Sequence, residues 1–321
     1  MDYSQLNDII KSGKNILIVT HINPDGDTLG SMCGLYSAIW DNFKKKADML
    51  VVSHVPAIYK FLPFVKQAKP LDEYDKSREY NVVINVDVAA YDRMSTATEL
   101  FDRAGCSVNI DHHKTNNNYA KLNYVDSDAS STGEFLFYIM KSLGWKISED
   151  TATCLYTALL TDTGSFRFDN TTAKTFAAAS ELVAFGAKPS EIYKNVYEND
   201  TKGLVLFQAN AIKNAVFECD NKIVYTTVYK KDIERFSAGD DCTEGLCEKL
   251  RAISTTEAAF IVKEINSNMS KVSMRSKHID VAEICSKFSG GGHKFAAGCV
   301  VKSSVKETIR KVLEEVKKQD L

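Results

Sequence analysis

Three apolar runs in this chain end on a carboxylate or an imidazole. NILIVT (residues 15–20) stops at His21, YNVVINVDV (80–88) carries Asp87, and CSVNIDH (106–112) leads into Asp111, His112 and His113. Together with MLVVS (49–53), these runs are continuous rather than alternating, as expected of strands buried on both faces of a parallel sheet. From Leu29, LGSMCGLYSAIWDNF has helical apolar spacing, so helical crossovers between the strands are available. The expected class is α/β, with a mostly parallel sheet in the first half. Helices are predicted over 131–144, 149–162 and 171–186. The first opens on Ser131, Thr132 and Glu134, close to a capping box, and capping is the expected role of Ser130, Ser131 and Thr132.

Gly186 and Pro189 stop the helical pattern and open a polar stretch, which places a linker at 188–202 between domains at 1–187 and 203–321. In the second, VFECDNKIVYTTVYK (216–230) has a hairpin pattern turning at Asp220-Asn221. AAFIVKEINSNMSKVSMRS (258–276) suggests another strand pair, with helical segments over roughly 240–253, 280–288 and 304–318. The result is a smaller α+β unit. A chain of 321 residues is long enough for two cores. Lys+Arg 40 against Asp+Glu 42 gives a net charge of -2, which disfavours long duplex nucleic acid as a partner. No apolar stretch is long enough for a membrane span, and MDYSQLNDIIKSGK lacks a signal-peptide core, so no membrane association and a cytoplasmic location are expected. The eight cysteines are scattered without a CxxC pair and are expected as reduced thiols.

His21, Asp25 and Asp27 lie within HINPDGDTLG. Singly, each has an ordinary explanation: Asp25-Gly26-Asp27 suits a turn, and many strands end in Asp. Collectively, His21, Asp25, Asp27, Asp87, His112 and Asp162 form a mixed imidazole and carboxylate set at strand and helix ends, where open parallel sheets collect ligands. Such donors suit Mn(II), Fe(II) or Zn(II), and six of them suit two ions about 3.5–4 Å apart sharing a carboxylate. Adjacent side chains of an extended strand diverge, so one of His112 and His113 is expected to ligate while the other contacts substrate or packs. Asp111 is placed to orient an imidazole.

HINPDGD, VINVD, IDHH, LLTDTG and GGGHKFAAG, in this order, resemble the DHH phosphoesterase superfamily with its DHHA1 companion domain. The size is most similar to that of the NrnA-like group of bifunctional oligoribonucleases and 3'-phosphoadenosine 5'-phosphate phosphatases. The resemblance implies a DHH domain followed by a DHHA1 domain and two divalent ions, Mn2+ first among them. It gives His21 and Asp25 to one ion, and Asp27, His112 and Asp162 to the other, with Asp87 bridging. His113 would contact the scissile phosphate and Asp111 would support it, completing a catalytic set of Asp87, Asp111 and His113. Thr28 stands where the family often has alanine, a change small enough to leave ligation intact.

The glycine run can bring backbone N–H groups close to an anion, although a flexible loop is an equal reading. The resemblance makes Gly291, Gly292 and His293 substrate contacts, and Arg275 is the best second-domain cation for a phosphate fork. Phe166 and Phe168 are candidates for base stacking or for the core. The function implied is hydrolysis of short RNA oligonucleotides to nucleoside monophosphates, with dephosphorylation of 3'-phosphoadenosine 5'-phosphate. A phosphodiesterase for cyclic di-AMP or pApA is the near alternative, inorganic pyrophosphatase a distant one, and a metal-containing nucleotide-binding protein the non-enzyme alternative. Partners would be short single strands or small nucleotides, and a homodimer is an open option.

Overall fold

The computed structural model describes residues 2–239 and 242–319. The chain divides into two compact units between residues 199 and 200. In the first, strands β1 (Ile16–Val19), β2 (Asp48–Val51), β3 (Lys69–Pro70), β4 (Val82–Val86), β5 (Cys106–Asp111) and β6 (Leu122–Val125) form one sheet in the order β3-β2-β1-β4-β5-β6. Every pairing is parallel. All residues of β1 and β4 are buried, which explains why their sequence shows no alternation. The order reverses between β1 and β4, so the crevice beyond their C-terminal ends is the natural place for a ligand.

Helices α1 (Ser4–Ser12), α2 (Gly26–Phe43), α3 (Thr98–Asp102), α4 (Thr132–Ser142), α5 (Glu149–Asp162), α6 (Ala173–Ala184) and α7 (Pro189–Tyr197) complete this unit. Helix α2 starts three residues before the apolar pattern first noted at Leu29. Asp25-Gly26-Asp27 is therefore the helix start and not a free turn: Asp25 is the N-cap, its carboxylate accepting from the Thr28 amide at 3.0 Å. Gly26 is needed for packing, since a Cβ there would meet the Thr161 side chain at 2.5 Å. Residues 189–197, within the expected linker, form α7 and bury Ile192 and Val196 in the first core. Pro189 opens this helix because its missing N–H costs nothing at the first helical position.

The second unit contains a six-stranded mixed sheet, β11-β12-β10-β9-β8-β7. Its strands are β7 (Val216–Glu218), β8 (Ile223–Val228), β9 (Ala258–Asn266), β10 (Met269–Ser276), β11 (Gly291–His293) and β12 (Ala296–Val301). Both expected strand pairs, β7–β8 and β9–β10, are antiparallel. Helices α8 (Lys202–Lys213), α9 (Lys230–Phe236), α10 (Leu246–Arg251), α11 (Val281–Ser286) and α12 (Val305–Val316) accompany the sheet. Of the helical segment expected over 240–253, residues 240 and 241 lie outside the described residues. The glycine run forms an edge hairpin, with β11 antiparallel to β12. A Cβ on Gly290 would meet the Gly298 carbonyl at 2.3 Å, and Gly292 sits at φ 147, so close backbone approach requires both glycines. No helix among the described residues is long and apolar enough to cross a membrane.

Candidate metal centre

His21 follows β1, Asp87 follows β4, His112 and His113 follow β5, and Asp162 ends α5, so these elements and the start of α2 converge at one rim. Three groups of donor atoms lie within 4.8 Å of one another: His21, Asp25 and Asp87; Asp27, His112 and Asp162; and Asp87, His112 and His113. Asp87 is common to two sides. Its Oδ2 is 3.5 Å from His21 Nε2, and its Oδ1 is 3.7 Å from His112 Nε2. The residue is buried and adopts φ 60, a left-handed conformation that Asp tolerates better than most side chains.

The surrounding protein fixes the donors. Asp27 lies at the N-terminus of α4, where its carboxylate accepts from Thr132 N at 2.8 Å and Gly133 N at 2.9 Å. Thr132 Oγ1 donates to Asp87 Oδ1 at 3.1 Å. Ser131 caps α4 as expected, whereas Thr132 opens the helix and spends its hydroxyl on Asp87, not on a cap. His21 Nδ1 is 2.8 Å from the Ile22 carbonyl and His112 Nδ1 is 3.2 Å from the Ala129 carbonyl. In the tautomers that donate from Nδ1, each Nε2 keeps a lone pair that could serve a metal ion. Asp111, fully buried, accepts from His113 Nδ1 at 2.8 Å and from Asn116 Nδ2 at 2.6 Å.

The expectation that His112 and His113 diverge does not hold: β5 ends at Asp111, so neither histidine belongs to the strand. Their ring centroids are 4.6 Å apart, and His113 Nδ1 is 3.6 Å from Asp87 Oδ1.

The carboxylates strain one another. Burial and the charges of Asp87 and Asp162 hold Asp27 well above the usual carboxylate range. Burial, with Asp87 and Asp25, pushes Asp162 up to about 6 against the pull of His112. For Asp87, burial acts upward, but the His21 hydrogen bond and the nearby His112 and His113 win and bring it down to about 2. His113 is raised to about 9 by its bond to Asp111, against burial. Carboxylates crowded in this way beside imidazoles, which lose their protons to bind a metal, are the donor chemistry of divalent transition ions, so the residues fit the group.

Sequence reasoning missed several contributors. Thr28 lies among the donors of the His21 group. The Thr132 and Gly133 amides act through the backbone, which residue type does not reveal. Arg93 Nη2 is 3.2 Å from His21 Nδ1, and no motif marked it. Phe166 packs against the core and stacks on Phe176 at 5.4 Å, whereas Phe168 is exposed.

In the second unit, Arg275 pairs across β10–β12 with Ala296, which pairs with His293 across β11–β12. Residues in register project from the same face, so Arg275 and His293 flank a small Ala296, roughly 10 Å apart over two strand spacings. Arg275 Nε also bonds Glu248 at 2.6 Å, and His293 is exposed.

Comparison with known proteins gives a consistent picture. The profile of the DHH family, N-terminal domain, matches residues 15–159, and that of the DHHA1 domain matches 220–319. The chain is 30% identical over 293 residues to the Bifunctional oligoribonuclease and PAP phosphatase NrnA of Bacillus subtilis, covering 90% of each. It is 29% identical to the protein of the same name from Thermus thermophilus, over 95% of this chain and 90% of that one. A crystal structure of an exopolyphosphatase-related protein from Bacteroides fragilis has the same fold, with a TM-score of 0.92, 24% identity, and coverage of 98% and 95%.

Proposed function

This chain belongs to the DHH phosphoesterase family with a DHHA1 domain, and we propose that it hydrolyses short RNA oligonucleotides to nucleoside monophosphates and dephosphorylates 3'-phosphoadenosine 5'-phosphate. The observation that carries the reading is the division of Asp87 between two donor groups, with Oδ2 toward His21 and Oδ1 toward His112. One carboxylate shared between two ligand sets suits two ions held close together, as in two-metal phosphoryl transfer. Two divalent ions, Mn2+ on this donor set, would supply Lewis-acid stabilisation and an activated water.

The chain's own residues supply positioning. His21 and Asp25 would hold one ion, Asp27, His112 and Asp162 the other. The α4 amides fix Asp27, so its carboxylate need not reorganise during the reaction. Asp111 engages His113 Nδ1 and leaves Nε2 for a phosphoryl oxygen of the substrate. Arg275, Gly291, Gly292 and His293 are assigned to the substrate's terminal phosphate, with Arg275 exchanging its Glu248 partner for that anion. The relatives named for oligoribonuclease and PAP phosphatase activity support this choice of substrates.

Turnover of short RNA, 3'-phosphoadenosine 5'-phosphate, pApA and cyclic di-AMP, compared with Mn2+ and with chelator, tests the proposal. Mn2+-dependent turnover led by short RNA is expected. Preferential cleavage of the cyclic dinucleotide, or binding without hydrolysis, would overturn it.

A further inference from the structure

Thr28 sits inside one of the two donor groups. Its side chain is fully buried. Oγ1 is 2.6 Å from Asp87 Oδ2, 2.7 Å from His21 Nε2 and 3.0 Å from Asp25 Oδ1. Those three residues are the His21–Asp25–Asp87 group.

One hydroxyl proton can serve one acceptor, yet three donor atoms of the group face this oxygen. In the His21 tautomer that donates from Nδ1 to the Ile22 carbonyl, Nε2 presents a lone pair toward the same point. Adjacent ligands on an octahedral ion with bonds of 2.0–2.1 Å stand about 2.9 Å apart. The spacings around Thr28 match that separation, as expected of a fourth donor on the same ion.

We propose that Thr28 is a metal ligand, its neutral hydroxyl oxygen completing the His21–Asp25–Asp87 site. This rests on the two-ion reading above. The site then has three oxygen donors and one nitrogen, and Thr28 makes it harder and more complete without adding charge.

The position allows a clean test. The N-cap bond to Asp25 comes from the Thr28 backbone amide, so a side-chain substitution leaves the start of α2 intact. Thr28→Val keeps the shape and removes the hydroxyl, Thr28→Ala removes both, and Thr28→Ser keeps the hydroxyl. The proteins, stripped of metal, are titrated with Mn2+ while the electron paramagnetic resonance signal of free Mn2+ is followed. Circular dichroism melts in chelator confirm that each variant is folded.

Wild type is expected to take up two ions. Thr28→Val and Thr28→Ala should weaken one of them by roughly 10–100-fold, the range for disturbed metal sites, and Thr28→Ser should bind as wild type does. Unchanged or tighter Mn2+ binding in Thr28→Val and Thr28→Ala would overturn the assignment and make Thr28 a plug that fills the ion's place. Weakening in Thr28→Ser equal to that in Thr28→Val would overturn it too, since packing and not the hydroxyl would then be responsible. Wild type that takes up no Mn2+ would instead refute the two-ion reading beneath it.

Discussion

Replacing Asp87 by Asn removes one charge from the point where both donor groups meet. Asn keeps the volume and tolerates φ 60, which Ala does not do as well, so the backbone is spared. Asp87 serves His21's side through Oδ2 and His112's side through Oδ1, so each ion would lose one charged contact. At about 1.5–3 kcal/mol per charged contact, two contacts amount to about 3–6 kcal/mol. That corresponds to about 10²–10⁴-fold in turnover. The metal-free protein should lose stability as well. Asp87 pushes Asp27 and Asp162 upward, but against burial and that repulsion His21, His112 and His113 hold Asp87 itself at about 2, so its charge favours the fold above the unfolded Asp value. The assay pairs Mn2+-dependent hydrolysis of a short RNA with thermal melts in chelator and in Mn2+. Asp87→Asn should lose at least about a hundredfold in turnover, the lower bound above, melt below wild type in chelator, and gain little from Mn2+. Turnover within tenfold of wild type at saturating Mn2+ would refute the reasoning.

Other outcomes follow from the same geometry. Asp27 is held well above the usual range and Asp162 at about 6. Unfolded Asp titrates near 3.9, so both favour folding below that pH, and the benefit is lost as pH rises through the folded values. His113, at about 9, continues the loss upward, and Asp87, at about 2, acts only in more acid solution. The rise in melting temperature produced by Mn2+ should therefore grow between pH 5 and pH 7.5, and an increment independent of pH would count against this electrostatic account. Gly133→Ala would bring a Cβ within 2.3 Å of the Ala158 Cβ, pushing α4 from α5 and moving an amide that holds Asp27. Melting temperature and Mn2+ affinity should fall together, with a stability loss of about 1–3 kcal/mol; a loss of stability with unchanged Mn2+ affinity would show that the amide does not position Asp27. His293→Ala should raise KM for a 5'-phosphorylated dinucleotide and change kcat much less, and a fall in kcat alone would remove His293 from substrate capture.

The sequence was most legible where burial is simple. Strands β1 and β4 have both faces covered, so their apolar runs and terminal ligands stand out. Strand β3 has two residues at a sheet edge, and β6 buries only Tyr124, so neither carries a comparable signal. Asp25-Gly26-Asp27 suggested a turn because Asp and Gly favour turns. Here the same pattern is an N-cap followed by a glycine pressed against Thr161. Helix α7 was hidden for a related reason: Pro189 stops helices in their interior but starts them at the first turn. Within the site, donor side chains are visible as residue types. The Thr132 and Gly133 amides and the direction of the Thr28 hydroxyl arise only when α2, α4 and β4 are brought together.

The central claim is that Asp87 joins two ion sites. Anomalous diffraction from a crystal of the protein grown with Mn2+ tests it directly. The account predicts two manganese peaks about 3.5–4 Å apart, one against His21 and Asp25 and one against Asp27, His112 and Asp162, with Asp87 between them. A single peak, or two peaks that Asp87 does not bridge, would contradict it.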